Sequence, residues 1–279
     1  MSDWFATLQR LAPQHGLSRL LGKAAASEQA WLKDAIIRPF ANHYGVDLNE
    51  AERSNPGEYK SFNDFFTRSL KADARPLADA ADALLCPADG VISQAGQIEA
   101  GTLLQAKGHR YDIRQLAGAL ADGLQEGDFF TVYLSPRDYH RVHMPLAGEL
   151  RATLAVPGAL FSVNGSTEAS IPGLFCRNER LVCRFETAVG PMLVVLVGAM
   201  IVASIETVWD APQSPYRREQ QDQFAAGAVQ LDRGAEMGRF LLGSTVICCV
   251  PKGAVNLRAL AAGDGVRMGE SLGSLAGQG

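Results

Sequence analysis

An apolar, β-branched run near the end of the chain is interrupted by glycine, serine and threonine. The run reads GRFLLGSTVICCV and extends from Gly238 to Val250, with Gly243, Ser244 and Thr245 at its centre. A run of this composition is typical of a strand that is buried in a sheet. Glycine weakens such a strand and usually marks a bulge or a close approach of two backbones. The sequence therefore predicts a buried strand that is interrupted at Ser244 for a reason other than folding.

The pattern of apolar residues changes once along the chain, and this change predicts an α+β fold. In residues 1–72, apolar side chains recur at helical spacing, as in the stripes Trp4–Leu11 and Trp31–Phe40. In residues 73–279, short β-branched runs are separated by glycine and proline, which is typical of strands and turns. We therefore expect an N-terminal helical region, residues 1–72, followed by a β-rich domain, residues 73–279.

Composition and charge argue against several classes of protein. The net charge of −4 over 279 residues is unlike that of a basic nucleic-acid-binding protein, and we expect no nucleic-acid partner. The longest apolar run, Pro191–Ser204, is too short to span a bilayer, and its valines indicate buried strands. The first residues do not resemble a secretion signal. None of the five cysteines forms a C-x-x-C pair, so we expect buried, reduced thiols and no metal site.

The N-terminal stripes have two interpretations. Short amphipathic helices that carry tryptophan and a mild excess of Lys and Arg can lie on an anionic membrane surface. The same apolar faces can instead pack against the protein core, which is how most amphipathic helices are used. The pattern alone favours packing against the core.

Two histidines and one aspartate stand out as candidate site residues. His140 and His143 lie in VYLSPRDYHRVHMP, a segment that follows a predicted strand and ends in proline. Such a segment is either a polar loop or a site, since histidine can exchange protons near neutral pH. Asp89 precedes Gly90 in CPADG, where it either forms a tight turn or orients a histidine.

Ser244 is the candidate nucleophile, although LGST is not the G-x-S-x-G motif of the α/β-hydrolases. A serine hydroxyl can attack the carbonyl carbon of the preceding residue, and glycine at that position tolerates a strained turn. The attack converts the peptide bond to an ester by an N-to-O acyl shift. Elimination across the ester then cuts the chain and leaves dehydroalanine, which hydrolyses to a pyruvoyl group.

Together, nine segments make the chain resemble the bacterial, membrane-associated, pyruvoyl-dependent phosphatidylserine decarboxylases. LGST alone is a weak signal, but the set in this order is highly specific and covers most of the chain. The segments are FNDFFTR (Phe62–Arg68), ARP (Ala74–Pro76), CPADG (Cys86–Gly90), KGHRYDIRQLAG (Lys107–Gly118), YLSPRDYHRVHMP (Tyr133–Pro145), PGALFSVN (Pro157–Asn164), LFCRNERLV (Leu174–Val182), VGAMIVASIETVW (Val197–Trp209) and LGST (Leu242–Thr245).

The resemblance implies a role for each candidate residue. Self-cleavage between Gly243 and Ser244 would give a β chain, residues 1–243, and an α chain, residues 244–279, with the pyruvoyl cofactor derived from Ser244. Asp89 and His143 match the charge relay that activates the Ser244 hydroxyl. His140 matches a second histidine, which would act during decarboxylation, and either histidine could protonate the product. The resemblance also implies that LFSVN lines the pocket.

The resemblance further implies the reaction and its location. The zymogen would mature into a carboxy-lyase of phospholipid biosynthesis that converts phosphatidylserine to phosphatidylethanolamine and CO2 through a Schiff base. The α and β chains would stay associated after cleavage. Two such pairs could further associate as a dimer. The protein would be peripheral on the cytoplasmic side of the cell membrane. This reverses the preference for core packing, because the N-terminal helices would then contact an anionic membrane surface.

Three alternative functions make different predictions. A serine hydrolase using Ser244, His143 and Asp89 would remain a single chain and react with fluorophosphonates. A lipid-binding protein without chemistry would bind liposomes without releasing CO2. A pyruvoyl decarboxylase of a soluble amino acid would accept free serine. The mass of the denatured protein separates the first alternative from the self-cleaving enzyme.

Overall fold

The computed structural model describes residues 21–163, 165–199, 205–212, 214–241 and 243–277, with the backbone alone at 165, 166, 243 and 244. The stripe expected at Trp4–Leu11 and residue Asn164 of the expected pocket lie outside the described residues. The fold is α+β, as the sequence predicts: few helices precede a β-rich remainder.

The described helices are short, apart from one at the N-terminal end. Residues 21–25 are helical, and further 3-10 turns lie at Pro56–Glu58, Ala106–Gly108 and Gly118–Ala121. None of the described helices is long and apolar enough to cross a membrane. The α-helices are α1 (Ala30–Tyr44), α2 (Phe62–Phe66), α3 (Ile113–Ala117), α4 (Gly165–Glu168) and α5 (Leu174–Arg177).

Local sequence explains where α1 and α2 begin and end. Gly45 ends α1 in the left-handed conformation, with φ of 66°, and its N–H donates to the carbonyl of Ala41. The hydroxyl of Ser61 accepts from the Asp64 N–H at the start of α2, so Ser61 is the cap of this helix.

An aromatic cluster joins α1 to α2. Ile37 of α1 is fully buried together with Tyr59 and the three phenylalanines of α2. The ring of Phe40 lies between 5.0 and 6.1 Å from the rings of those phenylalanines, mostly edge to face. Part of the α1 stripe therefore packs inward. Trp31 does not, since 73% of its surface is exposed.

Seventeen strands are present in the described residues, and all of their pairings are antiparallel. The strands are β1 (Ala83–Leu85), β2 (Gly90–Ile98), β3 (Thr102–Leu104), β4 (Arg110–Asp112), β5 (Gly127–Tyr133), β6 (Arg141–His143), β7 (Gly148–Val156), β8 (Arg180–Thr187), β9 (Gly190–Gly198), β10 (Ile205–Thr207), β11 (Gln220–Gln223), β12 (Gln230–Leu231), β13 (Glu236–Phe240), β14 (Gly243–Pro251), β15 (Val255–Leu257), β16 (Gly265–Val266) and β17 (Ser271–Leu275).

One large sheet forms the body of the domain, in the order β11-β7-β8-β9-β14-β5-β2-β16, with β12 also paired to β7. Strand β14 lies in the middle, paired along its length with β9 and β5. Val246 and Cys248 face one hydrophobic core, and Ile247 and Cys249 face the other. Burial on both faces explains why this run is apolar at every position instead of alternating.

Three smaller sheets pack around the large one, in the orders β10-β13-β6, β1-β17-β15 and β3-β4. Strand β13 ends at Phe240, so residues 241–242 join this small sheet directly to β14. Cys86, Cys183, Cys248 and Cys249 are buried and free, and Cys176 is free and half-buried. The expectation of buried thiols is thus confirmed for four of the five cysteines.

Truncation of a buried β14 side chain should destabilise the fold. We expect Val246→Ala to lower the free energy of unfolding by about 2 kcal/mol, because Val246 is fully buried between β5 and β9. The matched control is Val208→Ala, where 48% of the side chain is exposed and the change should stay within about 0.5 kcal/mol. Urea denaturation of chains that also carry Ser244→Ala measures both. Equal effects at the two sites would contradict the burial argument.

Candidate active site

The serine expected to interrupt the strand sits at a shift of register. On β9, Gly198 is opposite Gly243 and Val197 is opposite Thr245, so two steps along β14 match one step along β9. Ser244 is the extra residue, as in a β-bulge. The predicted strand is thus interrupted between Phe240 and Gly243, where β13 ends and β14 begins, and Ser244 itself lies in a bulge within β14. Two glycines face each other beside the bulge, where the backbones meet without side chains.

The four candidate residues lie around one end of the large sheet. Tyr133, the last residue of β5, pairs with Thr245 on one side and with Val91 on the other. Asp89 immediately precedes β2, so it lies two strand spacings, about 10 Å, from the start of β14.

The smaller sheet brings both histidines to this end. The backbone N–H of His143 donates to the carbonyl of Pro87, at 2.8 Å, two residues from Asp89. The N–H of Phe240 donates to the carbonyl of His140, at 3.0 Å, four residues before Ser244. Backbone pairing therefore delivers each predicted residue to the neighbourhood of the bulge.

Asp89 is buried, with 6% of its surface exposed, and its carboxylate is held by an arginine. Nε of Arg75 lies 2.9 Å from Oδ1, and Nη2 of Arg75 lies 2.5 Å from Oδ2. The backbone N–H of Met268 also donates to Oδ1, at 2.9 Å. This is a bidentate, charge-assisted pair, the strong class of hydrogen bond.

His143 is held by two other groups. Its Nδ1 lies 2.9 Å from the carbonyl of Gly234, and its Nε2 lies 3.1 Å from the hydroxyl of Tyr139. A carbonyl oxygen can only accept, so Nδ1 carries the proton and Nε2 accepts from Tyr139. Burial lowers the pKa of His143, and the hydrogen bond to Gly234 opposes this shift only in part. His143 is therefore a neutral base at neutral pH.

His140 is almost completely enclosed. Its Nδ1 lies 2.8 Å from the carbonyl of Asp138, and its ring centroid lies 3.9 Å from that of Phe66 on α2. Burial lowers the pKa of His140 to about 3, against the weaker effect of the bond to Asp138. As in His143, Nδ1 carries the proton and Nε2 is an acceptor. The intrinsic pKa of histidine, on which the sequence argument for a proton donor rested, is thus shifted by burial in both residues.

The structure brings Asp89 and His143 to adjacent backbone segments but gives each side chain a different partner. Arg75 and Met268 hold Asp89, while Gly234 and Tyr139 hold His143. The relay between these two residues stays a prediction.

A buried asparagine ties the expected pocket segment to the strand opposite the predicted cleavage position. Nδ2 of Asn178 donates to the carbonyls of Phe161 and Gly198, both at 2.9 Å. Oδ1 of the same side chain accepts from the Phe161 N–H at 3.3 Å. Phe161 belongs to LFSVN, and Gly198 faces Gly243, so Asn178 holds these two segments together.

Sequence reasoning missed three residues of this site: Arg75, Tyr139 and Asn178. Each lies inside a segment that carried the family resemblance, namely ARP, the histidine segment and LFCRNERLV. That membership was the available signal, but their partners are distant in sequence. Among the described residues, no group of three or more His, Cys, Asp or Glu side chains could hold a metal ion.

Comparison with known proteins supports the resemblance over nearly the whole chain. Residues 62–274 match a family model described as phosphatidylserine decarboxylase, and residues 4–45 match a second model described as PSD. The phosphatidylserine decarboxylase proenzyme of Pseudomonas aeruginosa (strain LESB58) is 54% identical over 276 residues, 96% of each chain. The proenzyme of Azotobacter vinelandii is 52% identical over 273 residues, 95% of this chain and 96% of the relative. That of Bordetella bronchiseptica is 53% identical over 276 residues, 96% and 93%.

The burial of His140 predicts a pH dependence of stability. Histidine in the unfolded chain binds a proton near pH 6.5, whereas folded His140 stays neutral down to its pKa of about 3. Acid therefore favours the unfolded state across this window, and stability falls as the pH decreases from about 6.5 towards 3. Between pH 7 and pH 4, we expect the free energy of unfolding of the wild type to fall by on the order of 3 kcal/mol because of His140, and His140→Gln should lack this decrease.

Urea denaturation across this pH range, in the Ser244→Ala background, measures the effect. His43→Gln is the control because His43 is exposed, and it should keep the wild-type pH dependence. A parallel decline for the wild type and His140→Gln would show that His140 is not held neutral by burial.

Proposed function

The chain belongs to the phosphatidylserine decarboxylase family, and we propose that Ser244, Asp89, His143 and His140 carry out its self-cleavage and its reaction. The enzyme is a pyruvoyl-dependent lyase of phospholipid biosynthesis that converts phosphatidylserine to phosphatidylethanolamine and CO2. It is made as a proenzyme and generates its own pyruvoyl group by self-cleavage.

The observation that supports this assignment most is the bulge at Ser244. A bulged residue lacks a partner in β9, so its backbone is less constrained by the ladder than that of its neighbours. Gly243 adds no side chain that would obstruct attack on its carbonyl. The hydroxyl of Thr245, the residue after Ser244, is buried without a hydrogen-bond partner among the described residues. These features fit a site at which a serine becomes a carbonyl group.

In the proposed cleavage step, His143 is the base. Its unprotonated Nε2 takes the proton of the Ser244 hydroxyl once Tyr139 releases that nitrogen. The serine oxygen bonds to the carbonyl carbon of Gly243, the C–N bond of the peptide breaks, and His143 passes its proton to the nitrogen that leaves. Loss of the α-proton then expels the Gly243 carboxylate from the ester. Water then hydrolyses the resulting dehydroalanine: its nitrogen leaves as ammonia, and a ketone remains.

Cleavage need not separate the two fragments, residues 1–243 and 244–279. Strand β14 would keep its pairing with β5 and β9, and both of its faces are buried in the two cores. The α chain, residues 244–279, and the β chain, residues 1–243, are therefore proposed to form one associated unit. A dimer of these units stays a prediction.

In decarboxylation, the pyruvoyl group supplies the electron sink that stabilises the carbanion left when CO2 departs. We assign to His140 the handling of the proton. It is neutral, with Nε2 as an acceptor, so it can accept a hydrogen bond from the ammonium group of the substrate serine. A pKa of about 3 makes the protonated ring a strong acid, so His140 would hold the proton of that group only in passing and deliver it to the α-carbon after CO2 has left.

The proposed reaction site is bordered by apolar side chains. Phe161 and Val163 of LFSVN belong to the same hydrophobic core as Val197, whose strand neighbours the bulge. An environment with little water destabilises a carboxylate and therefore favours its loss as neutral CO2.

We also propose that residues 1–72 associate with the membrane and that residues 73–279 form the catalytic domain. The substrate is a lipid, so the enzyme must reach a bilayer surface. On α1, Trp31 is 73% and Tyr44 is 41% exposed, and exposed Arg38 lies between them in sequence. Aromatic and basic side chains together favour the interface of an anionic membrane. The proposed location is peripheral, on the cytoplasmic side of the cell membrane.

Self-cleavage can be tested by the mass of the denatured protein. We expect the wild type to give two fragments, residues 1–243 and a blocked fragment 244–279, because Ser244 loses its amino group. Ser244→Ala and His143→Ala should each give one full-length species. His140→Ala should be cleaved but release at least about 100-fold less CO2 from phosphatidylserine.

The control for both histidines is exposed His43→Ala, which should be cleaved and active. An intact wild-type chain that hydrolyses esters would instead support the serine hydrolase. Two fragments that decarboxylate free serine as well as the lipid would support an enzyme of soluble amino acids.

Membrane association can be tested by sedimentation with vesicles. We expect the wild type to bind vesicles of phosphatidylcholine and anionic phosphatidylglycerol, and to bind less at high salt. Trp31→Ser should weaken binding by about ten-fold, since a buried aromatic ring contributes on the order of 1.5–3 kcal/mol. Leu104→Ser is the control, because Leu104 is an exposed apolar residue of the β-rich part. Equal binding by both variants would argue against α1 as the contact.

A further inference from the structure

The carboxylate of Asp89 is fully engaged without any bond to a histidine. Arg75 reaches both of its oxygens, and the N–H of Met268 reaches Oδ1. A buried carboxylate without such partners would be strongly destabilised in its charged form. The partners of Asp89 therefore decide both its ionisation and the direction of its oxygens.

Arg75 is itself held on several sides. Its side chain is only 7% exposed. Nη2 lies 2.7 Å from Oε2 of Glu50, which also pairs with Arg267 at 3.4 Å, and Nη1 donates to the carbonyl of Ala74 at 2.6 Å. Burial alone would lower the pKa of Arg75, but its bonds to Asp89 and Glu50 outweigh burial and raise it. The guanidinium is thus a fixed positive charge with a fixed direction.

We propose that Arg75 is a positioning residue for self-cleavage, which holds the Asp89 carboxylate ionised and oriented beside the strand that carries His143. The inference rests on the proposed role of Asp89 in maturation. The backbone bond from His143 to Pro87 fixes the distance between the two segments, and Arg75 fixes the side chain within that frame. A rotation that frees one Asp89 oxygen towards His143 would still leave the other oxygen on Arg75.

A purely structural role for this ion pair predicts a different behaviour. The pair also ties the segment around Arg75 to the turn before β2 and to the turn at Met268. If it did only that, its loss would slow cleavage equally at every pH. If Arg75 keeps Asp89 ionised, its loss makes the carboxylate bind protons more readily, and raising the pH restores the charge.

Other ionisable groups near Asp89 must be considered in such a pH experiment. The charge of Asp89 acts on Arg68 from the end of α2, on Cys86 from its own turn, and on Tyr139 and His143 from the histidine segment. The acidic residues Asp47, Glu50, Asp138 and Glu270 line the same cavity of about 410 Å³ as Asp89, together with the cations Arg68, Arg137 and Arg267. Each of these cations has other partners: Nη2 of Arg68 is bonded to the carbonyls of Arg137 and Asp138, Arg137 pairs with Asp138, and Arg267 pairs with Glu50. Arg75 is the group that contacts the carboxylate directly.

The test follows the cleavage of newly synthesised full-length chain, by cell-free translation and denaturing electrophoresis, between pH 6 and pH 9. We expect Arg75→Gln to cleave about ten-fold more slowly than the wild type at pH 7, and to recover towards the wild-type rate at pH 9. Arg75→Lys should lie between them, since it keeps the charge but not the two-pronged contact.

Arg53→Gln is the matched control because Arg53 makes a similar bidentate pair with Asp64, at 2.7 Å for both bonds, away from Asp89. It should cleave at the wild-type rate. Asp89→Asn should remain uncleaved at every pH, which tests the proposed role of Asp89 separately. If Arg75→Gln gives no soluble protein, Arg75→Lys provides the test. Its cleavage rate should fall further below that of the wild type at pH 6 than at pH 9.

Three results would overturn the inference or its premise. If both Arg75 variants cleave at the wild-type rate while Asp89→Asn remains uncleaved, Arg75 has no role in self-cleavage, and the proposed function is unaffected. A deficit that is equal at all pH values would show that the pair is only structural. Normal cleavage of Asp89→Asn would instead refute the role of Asp89, whatever the Arg75 variants do.

Discussion

The pairing of β14 with β9 and β5 is the interaction on which the rest of this structure depends. It places Ser244 at the edge of two cores, and it brings the ends of β2, β5 and β9 to the same place. Antiparallel pairing on both sides also satisfies the backbone of β14 independently of the peptide bond that precedes Ser244. A peptide bond at such a position can therefore be broken to make a cofactor while the sheet is retained.

Burial sets the electrostatics around this strand. Both histidines are neutral because their surroundings penalise charge, and each uses Nδ1 on a backbone carbonyl, which leaves Nε2 as an acceptor. The carboxylate of Asp89 is also buried but keeps a cation against it. The site thus separates neutral bases from one fixed ion pair. Proton transfer within the site therefore requires that a histidine nitrogen or an Asp89 oxygen first loses its present hydrogen-bond partner.

Much of this could be predicted from local patterns. The α+β division, the Ser61 cap and the buried character of β14 follow from spacing and composition, because each depends on neighbours in sequence. The bulge could not be distinguished from an interruption, since it is defined by the partner strand. The bond between Arg75 and Asp89, and that between Tyr139 and His143, depend on side-chain directions that a single sequence does not specify. The acidity of histidine was misjudged for the same reason: burial is a property of the whole fold.

The described strands are divided unevenly by the proposed cleavage site. Among the described residues that follow Ser244, β15 and β17 are the only strands that pair with each other, whereas β14, β16 and β17 pair with β5, β9, β2 and β1, which precede that site. In the uncleaved chain, the segment 244–279 therefore forms these pairings at the high effective concentration that a covalent link provides. Once the tether is gone, the same pairings would have to be found by two separate molecules. Folding and cutting are thus ordered in time, and the mature enzyme preserves an arrangement that its own pieces would reach far more slowly.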